Sequence, residues 1–335
     1  MPSPLRFGIL GAARIAPNAL IKPARAVSDA QVVAVAARDV NKARTFAQTH
    51  HIPRVLDSYD ALVNDPDIDA IYNPLPNALH YEWTIKALRA GKHVLCEKPL
   101  ASNAREAEEM ARIAAETGLV LMEAFHYRYH PLMQRVQEIV ANDEIGMVRE
   151  MQADFFIPLF LRPKDIRFNY ALAGGGAMDT GCYCINFLRA IAGTEPAVTR
   201  AAAREMPKQI DRVMHAEFRF ENGVTAKMGC SLAGLPPIRI FARVCGDAGA
   251  VEILNPFIPH RFHSLTVRTA SGKRTEYFSR KEHFSHEPTY NFQLRAFVAA
   301  TRGENTNLTD AWDGVKNMRV IDAVYAKSGL KVRGT

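Results

Sequence analysis

The sequence lacks a disulfide framework. Its five cysteines, at 96, 182, 184, 230 and 245, are odd in number and scattered along 335 residues, which fits reduced thiols in a cytosol. Zinc spacing is also missing, because Cys182 and Cys184 stand one residue apart inside an apolar helical pattern. His126 and His130 are four apart, but Pro131 puts them at the start of a helix and not in its interior, so no metal is expected. No apolar run reaches 18 residues, so no membrane-crossing helix is expected. Met1-Pro2-Ser3-Pro4 has no positive segment followed by an apolar one, so a secretory signal is not expected and the location is read as cytoplasmic. There is no internal repeat and no low-complexity segment. Lys and Arg outnumber Asp and Glu by 42 to 35, a net charge of +7. The charges are interspersed and form no basic stripe, which argues against nucleic acid, while the excess suits an anionic ligand.

What remains is an ordinary globular composition, 48% hydrophobic and 23% charged, in a chain too long for one compact core. Two domains are expected, 1–125 and 126–335. In the first, predicted strands at 5–10, 31–36, 68–72, 94–96 and 119–123 alternate with helices at 18–26, 39–51, 58–64, 79–90 and 102–117, the last opened by Ser102. That alternation predicts an α/β fold with a doubly wound parallel sheet. The second opens with a helix over 131–141, and from Met147 the apolar period becomes two. Met214, Ala216, Phe218 and Phe220 face one way, as do Ala226, Met228 and Cys230 after an Asn222-Gly223 turn. A further hairpin is expected about Ser271-Gly272. These segments predict an α+β domain with a large, mostly antiparallel open sheet. Helices cover its apolar face, and its mixed, charged face is either solvated or a subunit interface. Helices are expected over 286–302 and 309–328, the second packing back on another layer.

Three stretches carry chemistry. The first predicted strand opens into Gly11-Ala12-Ala13-Arg14-Ile15-Ala16 and then a helix. This is the frame of the G-x-G-x-x-G dinucleotide fingerprint with alanine at its second and third glycines. Small residues there let backbone approach a pyrophosphate at a helix N-terminus. After the second strand, Ala37-Arg38-Asp39 stands where an NAD enzyme places an acid for the ribose 2′-hydroxyl. Arg38 suits a 2′-phosphate, so NADP is expected over NAD. Read without function, Arg38 is a surface arginine and Asp39 a helix cap. The loop Asn73-Pro74-Leu75-Pro76-Asn77 is stiffened by two prolines. Asn77 then reads as a helix cap, a cofactor contact or both, with His80 beside it. The second stretch, His93-Val94-Leu95-Cys96-Glu97-Lys98-Pro99, reads as a buried strand ending at an acid and an ammonium. Ligands bind beyond the carboxyl ends of such strands. The third is Gly174-Gly175-Gly176 before a predicted helix over 177–192, on which Asp179 and Tyr183 share a face.

Together these stretches, with Glu123-Ala124, resemble the glucose–fructose oxidoreductase / inositol dehydrogenase (Gfo/Idh/MocA) family. Tyrosine at 183, where inositol dehydrogenases have histidine, is similar to the subgroup of glucose–fructose oxidoreductase, NADP-dependent D-xylose dehydrogenase and dimeric dihydrodiol dehydrogenase. The resemblance implies an N-terminal Rossmann domain and a second domain whose sheet forms a homodimer or higher homo-oligomer. It also implies cofactor contacts at Gly11, Ala12, Ala13, Arg14, Ile15, Arg38, Pro74, Leu75, Asn77, His80, Glu97, Lys98 and Arg167. Ile166 precedes Arg167 where glucose–fructose oxidoreductase has tryptophan, and that enzyme's export and arm segment is missing, so a periplasmic enzyme of that kind is not expected. Lys98, Asp179 and Tyr183 are the expected catalytic residues. Tyr183 exchanges the proton of a sugar hydroxyl, Lys98 supplies positive charge and a substrate hydrogen bond, and Asp179 orients substrate or lysine. Glu97 holds the nicotinamide ribose. The alternatives are a keto-sugar reductase, a dihydrodiol-type dehydrogenase, and a non-catalytic NADP-binding regulator such as the family's yeast galactose-pathway repressor.

Overall fold

The computed structural model describes residues 3–159, 165–232, 238–278 and 287–335. The chain divides into two compact units, residues 1–126 with 290–315, and residues 127–289 with 316–335.

The first unit is built on a six-stranded parallel sheet of β1 (Leu5–Leu10), β2 (Ala30–Ala36), β3 (Arg54–Leu56), β4 (Ala70–Asn73), β5 (His93–Cys96) and β6 (Leu121–Glu123), in the order β3-β2-β1-β4-β5-β6. The order reverses between β1 and β4, which opens a crevice at the carboxyl ends of those strands. Strand β4 is buried throughout and β1 over its last four residues, because helices lie on both faces of a parallel sheet. Strand β3, three residues long, has too little sequence to show a period and was not anticipated. The segment after β1 is not a plain α-helix. A π-helical turn at Pro17–Ile21 precedes α1 (Lys22–Ala26). Helix α2 (Val40–His50) is capped by Asp39, which accepts from the N–H groups of Asn41 and Lys42. Helices α3 (Tyr59–Val63) and α4 (His80–Arg89) follow. The cap of α5 (Ala104–Thr117) is Asn103, one residue later than the predicted Ser102. Asn103 accepts from Glu106 N–H, while the Glu106 carboxylate accepts from Ser102 N–H. Residues 290–315 belong here because Glu123 and Thr309 exchange two hydrogen bonds, N–H to O at 2.8 Å and Oγ1 to O at 2.6 Å, and Phe297 meets Phe7 at 5.6 Å between ring centroids.

After α6 (Pro131–Ala141), the second unit carries an eight-stranded sheet. Its strands are β7 (Val148–Phe156), β8 (Pro196–Glu205), β9 (Asp211–Phe220), β10 (Thr225–Ser231), β11 (Arg239–Gly246), β12 (Gly249–Leu254), β13 (Ser264–Thr269) and β14 (Gly272–Glu276). Their order is β14-β13-β12-β11-β7-β10-β9-β8. All neighbours are antiparallel except β7 and β10, which run parallel. The hairpins about Asn222-Gly223 and Ser271-Gly272 form as predicted. Strand β8 was not anticipated, since it is an edge strand exposed along most of its length and shows no apolar alternation. A π-helical turn (Ala177–Gly181) runs into α7 (Cys182–Ala192), which lies on β7 and β10 and is buried along nearly its whole length. Helices α8 (Thr289–Thr301) and α9 (Ala311–Ser328) complete the chain. The predicted start of α8 at His286 lies outside the described residues. Among the described residues no helix is long and apolar enough to cross a membrane, and no group of three or more His, Cys, Asp or Glu could hold a metal.

Candidate active site

In the first unit, the turn after β1 starts at Gly11. Its φ is +84°, its N–H donates to Ala36 O at 2.6 Å, and a methyl group added there would lie 3.1 Å from Leu75 Cδ2. Only glycine meets both conditions comfortably. Ala12, Ala13 and Ile15 follow half-buried and Arg14 exposed. The small residues and the left-handed turn form a cradle that a side chain would fill, and it fits the pyrophosphate of a dinucleotide. Beside it, Ala12, Asn41, Lys42, Thr45, Phe46, Thr49 and His50 line a groove of about 440 Å³. Arg38 is exposed, and the Tyr59 hydroxyl lies 3.5 Å from where a Gly11 methyl would sit. Burial raises the Tyr59 phenol. Lys42 and Tyr59 were missed by sequence reasoning, since neither stands in a motif.

Pro74 and Leu75 are buried. Asn73, wholly buried, donates to His80 O and Thr84 Oγ1 and accepts from Leu75 N–H, which fixes the loop after β4. Asn77 does not cap α4. It begins a 3-10 turn, Asn77–Leu79, with Pro76 at the cap position. His80 was expected among the cofactor contacts. Its imidazole is instead wholly buried, with Nδ1 2.9 Å from Pro99 O and Nε2 2.8 Å from Leu75 O, so it braces two loops against each other. Burial pulls its pKa down to about 4, against two carbonyls that favour the protonated ring.

Glu97 and Lys98 follow β5, both half-buried. The Tyr72 hydroxyl donates to Glu97 Oε1 at 2.7 Å, and Glu97 N–H donates to Asn73 O. Tyr72 is wholly buried, and burial with the Glu97 charge beside it pushes its phenol well up, so it stays a donor. It aims the carboxylate, a role invisible in an apolar strand pattern. Buried Glu123 accepts from Leu100 N–H at 2.8 Å and anchors the segment beyond Pro99.

In the second unit, a methyl group at Gly174 would lie 2.4 Å from Arg167 O. The absence of a side chain lets residues 165–169 pack onto the glycines, and it puts Arg167 against Asp179. Arg167 Nε donates to Asp179 Oδ2 at 2.6 Å and Nη1 to Asp165 Oδ1 at 3.0 Å. These two carboxylates, Asp179 foremost, raise the Arg167 pKa. Arg167, assigned to the cofactor by resemblance, is thus first a partner of Asp179. Tyr183 is one turn beyond Asp179, 8% exposed, with Phe155, Phe257 and Tyr127 at 5.4, 5.6 and 5.9 Å between centroids. Tyr127 is held by its hydroxyl bond to Asn186 Oδ1, 2.7 Å. Asn186 and Phe257 escaped the sequence reading, although a wholly buried asparagine inside an apolar helix is itself a signal.

The structure therefore groups Gly11 to Ile15, Arg38, Pro74, Leu75, Asn77, Glu97 and Lys98 about the carboxyl ends of the first sheet. It groups Arg167, Asp179 and Tyr183 at the start of α7. A model of an oxidoreductase family with an NAD-binding Rossmann fold matches residues 5–125, and the model of the Gfo/Idh/MocA C-terminal domain matches 133–252. D-xylose 1-dehydrogenase (NADP(+)) 2 of Haloferax volcanii is 36% identical over 335 residues, 98% of this chain and 99% of that one. Trans-1,2-dihydrobenzene-1,2-diol dehydrogenase of Mus musculus is 34% identical over 82% of this chain and 80% of its own. Among solved structures, the 3-ketoreductase KijD10 from Actinomadura kijaniata, in complex with NADP and TDP-benzene, superposes with a TM-score of 0.87 at 28% identity, over 97% of this chain and 98% of that one. The two family models cover most of the sequence between them, and the chain belongs to the Gfo/Idh/MocA family of nicotinamide-dinucleotide-binding oxidoreductases.

Proposed function

We propose that the protein is an NADP-dependent dehydrogenase that moves a hydride between a sugar hydroxyl and the nicotinamide. The observation that carries the reading is the Arg167–Asp179 ion pair. It commits the Asp179 carboxylate to a guanidinium and leaves Tyr183 as the proton-exchanging group on that helix. When bound, NADP supplies the hydride acceptor. Gly11 to Ile15 hold the pyrophosphate, Arg38 faces the 2′-phosphate, and Glu97, aimed by Tyr72, holds the nicotinamide ribose. A phenol of ordinary pKa near 10 is a weak base at neutral pH. By the family resemblance, Lys98 is the residue that supplies positive charge and a hydrogen bond to the substrate oxygen. Asp179 keeps Arg167 in place and orients substrate. The match to a D-xylose dehydrogenase along 98% of the chain supports a sugar substrate.

The test follows reduced-nicotinamide absorbance with a panel of aldoses. Tyr183→Phe binds NADP as before and loses about 10² to 10⁴ in kcat, the usual worth of acid–base catalysis. Near wild-type turnover in that variant removes Tyr183 from the mechanism. The likeness to KijD10 and to the dihydrodiol dehydrogenases favours a second reading, a keto-sugar reductase or a diol dehydrogenase, which the same assay run with NADPH and ketones, or with diols, distinguishes. NADP binding without turnover on any of these marks a regulator. The exposed side chains of Ile238, Leu254 and Phe262, with Arg239, Ile240 and Phe241, line a groove of about 320 Å³ on the second sheet, and support a homodimer through that sheet. Five free cysteines fit a cytoplasmic location.

A further inference from the structure

We propose that Arg333, paired with Asp211, is a positioning residue that sets where Asp179 and Tyr183 stand. The proposal rests on the catalytic reading of Tyr183 given above. Arginine is almost never fully buried unless paired, yet Arg333 and Asp211 both have 0% side-chain exposure. Arg333 spends its fork of donors in three directions. Nε donates to Gly174 O at 2.7 Å, Nη1 to Lys331 O at 2.9 Å and Nη2 to Asp211 Oδ1 at 2.9 Å. Its Cζ lies 3.9 Å from the Tyr325 ring centroid and 5.1 Å from that of Tyr170. Asp211 Oδ1 also accepts from the Tyr325 hydroxyl at 2.9 Å, while Oδ2 accepts from Ala177 N–H at 2.6 Å.

The ion pair therefore grips both ends of one turn, the carbonyl of Gly174 and the N–H of Ala177. That turn launches the helix. Asp179 N–H donates to Gly175 O at 3.1 Å, and Tyr183 follows one turn later. Gly175 has φ +139°, and a methyl group on it would come within 2.3 Å of Asp211 Oδ1 and 2.5 Å of the Tyr325 hydroxyl. The turn is pressed directly against the cluster, with no slack to absorb a change in it. A buried ion pair is weak evidence for stability, since packed apolar groups of the same volume often do as well. What apolar groups cannot supply is direction. Three bonds from one rigid guanidinium fix a backbone carbonyl relative to a carboxylate, and lysine has no such fork. Neither residue is exposed to a substrate, so the action passes through the Gly174–Ala177 backbone.

The experiment compares the full-length wild type with Arg333→Met, Arg333→Lys and Tyr183→Phe, in NADPH binding by fluorescence, melting, and kcat and KM for the best sugar well below the melting transition. Arg333→Met is expected to bind NADPH within about twofold of wild type and to lose at least about tenfold in kcat, with KM for sugar changed less than about threefold. The apparent pKa of the rising, acid-side limb of its kcat profile for sugar oxidation is expected to rise by about half a unit or more, because the phenol must lose its proton to act as base and has lost its set position. A lowered melting temperature with kcat, KM and pH profile unchanged shows a role in stability alone and overturns the proposal. If Arg333→Met does not fold, Arg333→Lys decides, because it keeps the charge beside Asp211 and loses the fork. A loss of at least about fivefold in kcat in that variant supports positioning, and wild-type kcat refutes it. Turnover retained in Tyr183→Phe removes the catalytic reading and this proposal with it. An inactive Tyr183→Phe beside fully active Arg333 variants overturns the positioning alone.

Discussion

Acidification should unlock the start of α6 through one buried imidazole. His130 is 4% exposed and caps that helix, its Nδ1 accepting from Leu132 N–H at 3.2 Å. An acceptor nitrogen carries no proton, so the cap requires the neutral ring. The His263 ring lies 5.7 Å away, its Nδ1 donating to Pro259 O and its Nε2 accepting from Phe278 N–H. Burial first, and then the nearness of His263 and His260, lower the His130 pKa to about 3. Unfolded, the group titrates near 6.5. Between those values the unfolded chain binds the extra proton, so the stabilisation is complete above about pH 6.5 and drains away as pH falls towards 3. At pH 5 the loss comes to about 2 kcal/mol. His130→Asn provides the control, because asparagine is a favoured helix cap that does not titrate. Urea titrations at pH 7.5, 6 and 5, read by hydrogen exchange in the peptide covering residues 131–141, give the local stability of each. Wild type should lose about 2 kcal/mol more than the variant between pH 7.5 and 5. Parallel curves would refute the assignment. Part of any acid limb in the turnover profile therefore reports this unfolding and not a catalytic proton.

Two further predictions concern the cofactor side. Arg38→Ser should lower kcat/KM for NADP relative to NAD by about tenfold or more, the order of one lost charge-assisted contact, with the ratio measured on the same sugar; an unchanged ratio assigns the 2′-phosphate elsewhere, with Lys42 the next candidate. The neutral His80 ring has one N–H and donates to one of the Pro99 and Leu75 carbonyls, so His80→Ala leaves that buried carbonyl unsatisfied and should cost about 1–3 kcal/mol of stability and weaken NADP binding; melting and fluorescence titration measure both, and an unchanged pair would show that the brace is not needed.

Local chemistry was legible in the residues. The alternation of apolar strands and helices gave the first sheet, Asn222-Gly223 and Ser271-Gly272 gave their hairpins, and Gly11 marked a left-handed turn. Each of these is decided within a few residues, by side-chain period or by the φ a turn demands. Edge strand β8, largely solvated, left no such pattern, and the parallel pairing of β7 with β10 depends on a connection of some seventy residues that no period records. The same holds for the site. Lys98, Asp179 and Tyr183 could be picked out one by one, but not the partners that orient their surroundings. Tyr72 reaches Glu97 across 25 positions, and Arg333 reaches Asp211 across 122 and Gly174 across 159. His80 reads as a loop-side ligand in sequence, and only its enclosure turns it into a brace. The sequence by itself determined most of the strands and helices and which side chains offer a carboxylate, an ammonium or a phenol, because those properties are local. The tertiary structure decided which buried polar groups hold those residues in place, because a group withdrawn from water must find its partner wherever the path of the chain has brought one.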